Sequence, residues 1–414
     1  MKKNLLILFI LSLITSCGNT AENSKVSNKK EKETEKYETG NFEFLQSKNS
    51  KKAKETLIVI IDPHGDGKLA VSEFKEIVKN FDCTIIGLNN VENNLPDYSE
   101  KIKSDINDAA GILDLNIQHL FITGFSGGAR MAFQYGISHN VSGVLMCGAG
   151  INLQKVGNLK FPLAMIIGTK DFNFIEQYYS PYSPIVKNKN ILTLVFEGIH
   201  EWPPEDDINT AVSFLFLKNK LSSVKENELK KEAKTFLNRK EYLKAFKMYE
   251  ASYKMNNENS ETELNNLLND SKFKTFIKEY EVSLQKEIDR NQTYIEYLSG
   301  KNLNWWHDEI FRINKKMKLK DKFKAASFAR SKAYLGIAMY SFVNKEITNP
   351  WSKNIDKYLK IYEYLEPENP DMWFYNSVRE KQKNNSALSE KYLKRAFAFG
   401  FKDSIKAKKY DLIQ

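Results

Sequence analysis

The sequence predicts a mostly parallel α/β sheet followed by an all-α half. Between residues 42 and 218, six short β-branched apolar runs alternate with helical-period segments, the pattern of a parallel sheet covered by helices. Near residue 221 the apolar runs stop, and long Lys- and Glu-rich helical segments fill the remainder. With 414 residues, 42% of them hydrophobic, the chain is large enough for about two to three domains with buried cores. Its net charge of +10 arises from 62 Lys and Arg against 52 Asp and Glu. That excess is spread out, with no basic stripe interleaved with aromatics, so a nucleic-acid-binding module is excluded.

Met1-Lys2-Lys3 precedes an apolar run over 5–14, shorter than the ~20 residues that span a bilayer and suited to a signal-peptide core. The run ends in Leu13-Ile14-Thr15-Ser16-Cys17, which resembles the bacterial lipoprotein box. The resemblance implies a signal peptide over 1–16, a lipidated Cys17 and a cell-envelope location. The alternative is an ordinary cleaved signal with an incidental Cys. Residue 18 is Gly, with no acidic side chain after the Cys, which favours the outer over the inner membrane. The polar, charge-dense stretch over 17–41 is expected to be a disordered tether, leaving the lipid as the sole membrane attachment.

The expected strands are 56–62, 84–89, 120–125, 143–148, 163–168 and 192–198, each of buried-strand length. The expected helices are 69–81, 99–115, 127–137, 174–187 and 208–220, wound onto both faces by right-handed crossovers. Together they define a sheet domain over 42–221. No first hairpin is evident. Cys83 and Cys147 fall in apolar runs that this order separates by two strands, beyond the ~7 Å limit of a disulfide, so both are expected to be buried thiols.

Gly124-Phe125-Ser126-Gly127-Gly128 follows a strand and opens a helix. A nucleophile elbow needs that context, because a sharp strained turn exposes the Ser hydroxyl and turns the next N–H toward an oxyanion. The plain alternative is a Gly-rich turn. Among the histidines, His64, His119, His139 and His307 are misplaced to serve Ser126 as base, whereas His200 follows the last strand at the carboxyl edge of the sheet. Asp171 leaves a strand end between Ser126 and His200, although an Asp there also suits a helix N-cap. Glu176 and Glu197 are weaker acids, one inside the next helix and the other within the last strand.

The oxyanion hole should pair the Gly127 N–H with an N–H from the loop Pro63-His64-Gly65-Asp66-Gly67, assigned to Asp66 with Gly65 as alternative. That loop resembles the HG-type loops of esterases and lipases, with His64 as a brace. The run DPHGDGKLAVSEF also fits much of a calcium-loop pattern through Asp62, Asp66, Gly67 and Glu73. Against calcium, His64 stands where an oxygen ligand belongs, Pro63 stiffens the turn, and a strand precedes it. HExxH, CxxC and GxxxxGK[ST] are absent from the sequence, so no metal or cofactor is indicated.

Taken together, this segment resembles the α/β-hydrolase superfamily, in the compact form related to dienelactone hydrolases, feruloyl esterases and polyhydroxyalkanoate depolymerases. The resemblance implies Ser126 as nucleophile, His200 as base and then acid, Asp171 as its orienter, and small-molecule or polymeric esters as substrates. Trp202, Asn173 and, at the rim, Asn89 and Asn90 are expected to line the substrate pocket, with Trp202 equally suited to the core.

Residues 222–414 read as a separate helical domain. Ala233, Phe236, Tyr242, Ala245 and Tyr249 resemble one tetratricopeptide repeat, and a partial second lies in the stretch opening with LEPENPDMWFYN; 269–347 does not hold that register. Trp305, Trp306, Trp351 and Trp373 are expected at helix contacts. Repeat domains offer surfaces to protein partners, so this half is expected to dock the enzyme or cover its mouth. The expected function is a secreted, lipid-anchored serine hydrolase acting on carboxylic esters. The alternatives are an inert hydrolase-fold scaffold or binding lipoprotein, and a peptidase or amidase using the same residues.

Overall fold

A computed structural model describes residues 34–35, 40–47, 50–151, 159–221, 226–255 and 258–413. The expected signal peptide and Cys17 lie outside the described residues, as does most of the expected tether. Two compact units divide between Val282 and Ser283.

The first unit holds an eight-stranded sheet in the order β1-β2-β4-β3-β5-β6-β7-β8. β3 (Thr56–Ile61), β4 (Thr84–Leu88), β5 (His119–Phe125), β6 (Gly143–Cys147), β7 (Leu163–Gly168) and β8 (Ile191–Phe196) run parallel. These are the six expected strands, and nearly every residue in them is buried, as a sheet covered on both faces requires. β1 (Thr34–Glu35) and β2 (Phe42–Ser47) add an antiparallel edge that the sequence reading did not find. Phe42 and Phe44 of β2 are buried against the sheet's core, so this short run is held by tertiary packing rather than by a periodic signature of its own.

Helices α1 (Lys51–Glu55), α2 (Gly67–Glu73), α3 (Lys75–Phe81), α4 (Tyr98–Ile112), α5 (Gly127–Ser138), α6 (Phe174–Gln177) and α7 (Glu205–Lys218) connect the strands. Leu57, Val59 and Ile61 of β3 pack with α4 and α5, while Ile58 and Ile60 pack with α2, α3 and α7. The helix expected over 69–81 breaks at the buried Phe74. The one expected over 174–187 shrinks to α6 and a 3-10 turn, Pro184–Lys187. Pro181 and Pro184 remove the amide donors a continuous helix would use there. Cys83 and Cys147 are buried free thiols, and burial pushes both well above the ordinary thiol range.

The first unit extends beyond residue 221, where the apolar runs end, because α8 (Glu226–Asn238), α9 (Tyr242–Lys254) and α10 (Glu258–Asn269) join the sheet's core. α9 lies along the edge strand β8 and covers it, one way of shielding an unpaired strand edge. Between them Lys247, Glu250 and Lys254 are almost completely buried. Lys247 Nζ donates to Thr193 Oγ1 at 2.6 Å and Glu250 Oε2 at 3.1 Å, and Lys254 Nζ donates to the Ile191 carbonyl at 2.6 Å. Lys254 Nζ also lies 2.6 Å from Glu250 Oε1, to which the Tyr179 hydroxyl donates at 2.5 Å.

The unit boundary falls within α11 (Ser271–Gly300). The second unit continues with α12 (Leu303–Lys316), α13 (Lys322–Glu346), α14 (Ile355–Leu365), α15 (Pro370–Gln382), α16 (Ser386–Ala398) and α17 (Ser404–Lys409). Side chains of Asn302, Asp321, Asn369, Asn385 and Asp403 cap the N-termini of five of these helices. Trp306 and Trp373 are buried and Trp305 half-buried, but Trp351 stands 88% exposed in the turn before α14. It belongs to no helix contact, contrary to expectation. A buried Glu287–Arg330 pair, joined by two hydrogen bonds, ties α11 to α13 within this unit.

Candidate active site

The site gathers at the carboxyl ends of β5, β7 and β8, where open α/β sheets place ligands. Ser126 follows β5 with φ 51° and ψ −116°, a conformation an L-residue adopts only under strain. Close packing enforces it. A Cβ on Gly124 would fall 2.5 Å from the Gly128 carbonyl carbon, and one on Gly128 would fall 2.2 Å from the Ile61 carbonyl oxygen. The Ser126 N–H, meanwhile, donates to the Cys147 carbonyl of the neighbouring strand at 2.8 Å.

His200 and Asp171 reach Ser126 from two other strand ends. With its proton on Nδ1, His200 donates to Asp171 Oδ2 at 2.8 Å and accepts from the Ser126 hydroxyl at Nε2, 2.9 Å away. Asp171 is fully buried, and its other oxygen accepts the Asn173 N–H at 2.8 Å. The imidazole packs against Phe125 and Phe172 in tilted contacts, with ring centroids 4.7 and 4.4 Å away. These contacts help hold the ring in the orientation that bridges Ser126 and Asp171. His139 instead bonds the Tyr135 carbonyl at 3.1 Å and His307 lies 3.3 Å from Asp308.

Several expected site residues hold other places. Trp202 is buried behind the base, packed on Phe125 and Phe74 at 5.2 and 6.0 Å, so it builds the core beneath His200 rather than a pocket wall. Asn173 is 1% exposed and donates to the Gly148 carbonyl at 2.8 Å, while Arg130 donates to its Oδ1 at 3.4 Å. It braces the Asp171 loop. Arg130 also pairs with Glu176 at 3.0 Å, a brace the sequence reading did not find; burial still holds the Glu176 carboxyl above its ordinary range. Asn89 donates to the Gly40 carbonyl at 3.3 Å and Asn90 to Asn41 at 3.3 Å, tying the end of β4 to the start of β2.

The loop after β3 also differs from expectation. Gly65 N–H donates to the Asp62 carbonyl at 3.1 Å, and His64 N–H donates to Asp62 Oδ1 at 2.8 Å. Burial raises the Asp62 carboxyl above its ordinary range. Gly65, the alternative second oxyanion donor, is therefore committed to Asp62. The Asp66 side chain caps α2 by accepting from the Leu69 N–H at 2.8 Å. Among the described residues, no group of three or more His, Cys, Asp or Glu side chains is placed to hold a metal ion.

The sheet order, the antiparallel edge and the strained Ser between β5 and α5 make the first unit an α/β-hydrolase fold, followed by an all-helical region. No protein-family model matches the chain, and no curated protein matches it. The chain is similar to the solved structure of esterase PE8, at 17% identity and TM-score 0.30 over 40% of this chain and 92% of that one. It is also similar to an esterase/lipase from an uncultured bacterium, at 13% identity and TM-score 0.35 over 53% and 99% of the two chains. An alpha-beta serine hydrolase homologue from Coxiella burnetii matches at 12% identity and TM-score 0.29, over 47% and 98%.

Proposed function

We propose that the chain is a serine hydrolase that cleaves carboxylic esters through an acyl-enzyme, held at a bacterial cell envelope by a lipid on Cys17. The observation that carries the catalytic reading is the unbroken chain from Ser126 Oγ through the His200 imidazole to the buried Asp171. In this reading His200 Nε2 takes the Ser126 proton as Oγ bonds the ester carbonyl carbon, and the carbonyl π pair moves onto oxygen. Asp171 keeps the imidazole in the required tautomer and stabilises its charged form. The Gly127 N–H, in the first turn of α5, donates to the oxyanion. Collapse of the tetrahedral intermediate expels the alcohol, which takes the proton from His200. Water then repeats the sequence against the acyl-serine. The anchor rests on the sequence around Cys17, and the helices after residue 222 are proposed to bind a protein partner.

The test is turnover of p-nitrophenyl acetate and butyrate, beside matched p-nitroanilides, by the full-length protein and Ser126→Ala. Ester hydrolysis that Ser126→Ala abolishes is the expected result. Preferential anilide cleavage would assign an amidase instead, and a folded parent without turnover would leave a scaffold.

A further inference from the structure

The proposed mechanism needs two donors at the oxyanion, and two N–H groups of the loop after β3 are already taken. Pro63 lacks an N–H, and those of His64 and Gly65 are bound to Asp62. A different group stands at the elbow. A Cβ on Gly127 would fall 1.8 Å from Asn93 Oδ1 and 3.1 Å from Asn93 Nδ2, so the Asn93 carboxamide lies directly against the residue whose N–H begins the hole. Any side chain at 127 would displace it.

The backbone holds Asn93 there. Its N–H donates to the Pro63 carbonyl at 2.9 Å, the preceding Glu92 forms a bridge with His64, and Asn94 takes a left-handed turn at φ 67°. The loop after β4 is thus pinned to the loop after β3 at Glu92 and at the Asn93 backbone. Among the described residues the Asn93 carboxamide makes no hydrogen bond, so its N–H groups remain available. A half-turn of the amide exchanges its O and N positions and keeps a donor beside Gly127.

We propose that Asn93 is the second oxyanion donor: its Nδ2–H and the Gly127 N–H share the negative oxygen of the tetrahedral intermediate. The inference rests on the serine-hydrolase reading. Asp62 then serves to close the β3 loop, and a side chain from the next loop supplies the donor. The donor is idle in the ground state and engaged only as charge develops, which makes it a contributor to kcat rather than to KM.

The experiment measures p-nitrophenyl acetate hydrolysis and phenylboronic acid inhibition with full-length parent, Ser126→Ala, Asn93→Ala and Asn93→Leu, alongside their thermal melting. Leu keeps the side-chain bulk without a donor. Both Asn93 variants should lose about 100- to 1,000-fold in kcat, with KM within about threefold and boronate affinity falling with kcat. Turnover by Asn93→Leu within about threefold of the parent overturns the inference while the hydrolase reading stands. So does a loss confined to KM with boronate affinity unchanged. Absence of Ser126-dependent turnover in the parent overturns both.

Discussion

Two buried charge clusters sit on the same sheet, and they differ in what they leave open. At the carboxyl ends of the strands, Asp171 is sealed while Ser126 and His200 keep 7% and 10% exposure, and Ser126 holds a strained backbone. Along β8, Lys247, Glu250 and Lys254 are saturated by Thr193, Tyr179 and backbone carbonyls, on residues in ordinary helical conformation. Both clusters contain a fully buried carboxylate, so burial of charge does not by itself mark chemistry. An outlet at His200 and a strained residue set the first apart, as the proposed serine-hydrolase reading requires. The second is a fastening that holds α9 on the edge strand, its charges paired and almost completely buried.

The largest effect expected from this contrast is on turnover. Ser126→Ala and His200→Ala should each lower ester hydrolysis by about 10⁴-fold or more, and Asp171→Asn by about 10⁴-fold, with the fold retained in circular dichroism. Mutating the β8 cluster should do the reverse. Glu250→Ala leaves two buried ammonium groups without their shared partner, and an unfolding titration should register a loss of about 3–5 kcal/mol. The remaining folded fraction should keep its turnover per molecule. Replacing all three charges by Met, Leu and Met should recover most of that stability, since well-packed apolar side chains often equal a buried ion network.

A smaller expected effect concerns strain. Ser126→Gly should melt above Ser126→Ala, by about 1 kcal/mol in stability, because only glycine relieves the positive φ. The smallest is a pH dependence. Burial holds the Lys247 amine down at about 8, against 10.5 for an ordinary lysine. Between those values the unfolded chain binds more protons than the folded one, so the Lys247 contribution to stability grows with pH across about 8 to 10.5 and is lost below it. Tyr179, held above its ordinary range, acts oppositely above pH 10. Comparing the parent with Lys247→Met isolates the lysine: the parent curve should rise more steeply from pH 8 to 10.

The same contrast explains what was legible in the sequence. Ser126, Asp171 and His200 each follow an apolar β-branched run, so strand ends alone brought them to one edge, and the six parallel strands came from the same runs. β2 was missed because six residues beside a polar stretch carry little periodicity, and Phe42 and Phe44 gain their meaning only from the sheet they pack on. Asn93 lies in an Asn-rich loop with no period, and its contact with Gly127 depends on how two loops are pinned in space. Lys247 and Lys254 carry no sequence signal of their burial, because a burial this complete is set by β8 and Tyr179, far away in the chain. Gly65 shows a related limit, since spacing places an N–H in the loop but does not reveal that the Asp62 carbonyl has already taken it.

The most direct measurement is covalent labelling of the full-length protein with a fluorophosphonate, followed by mass spectrometry of its peptides. A reactive, His200-activated serine predicts one adduct, on the peptide carrying Ser126, absent from His200→Ala. A folded protein that takes no adduct, or takes it elsewhere, would contradict the serine-hydrolase reading.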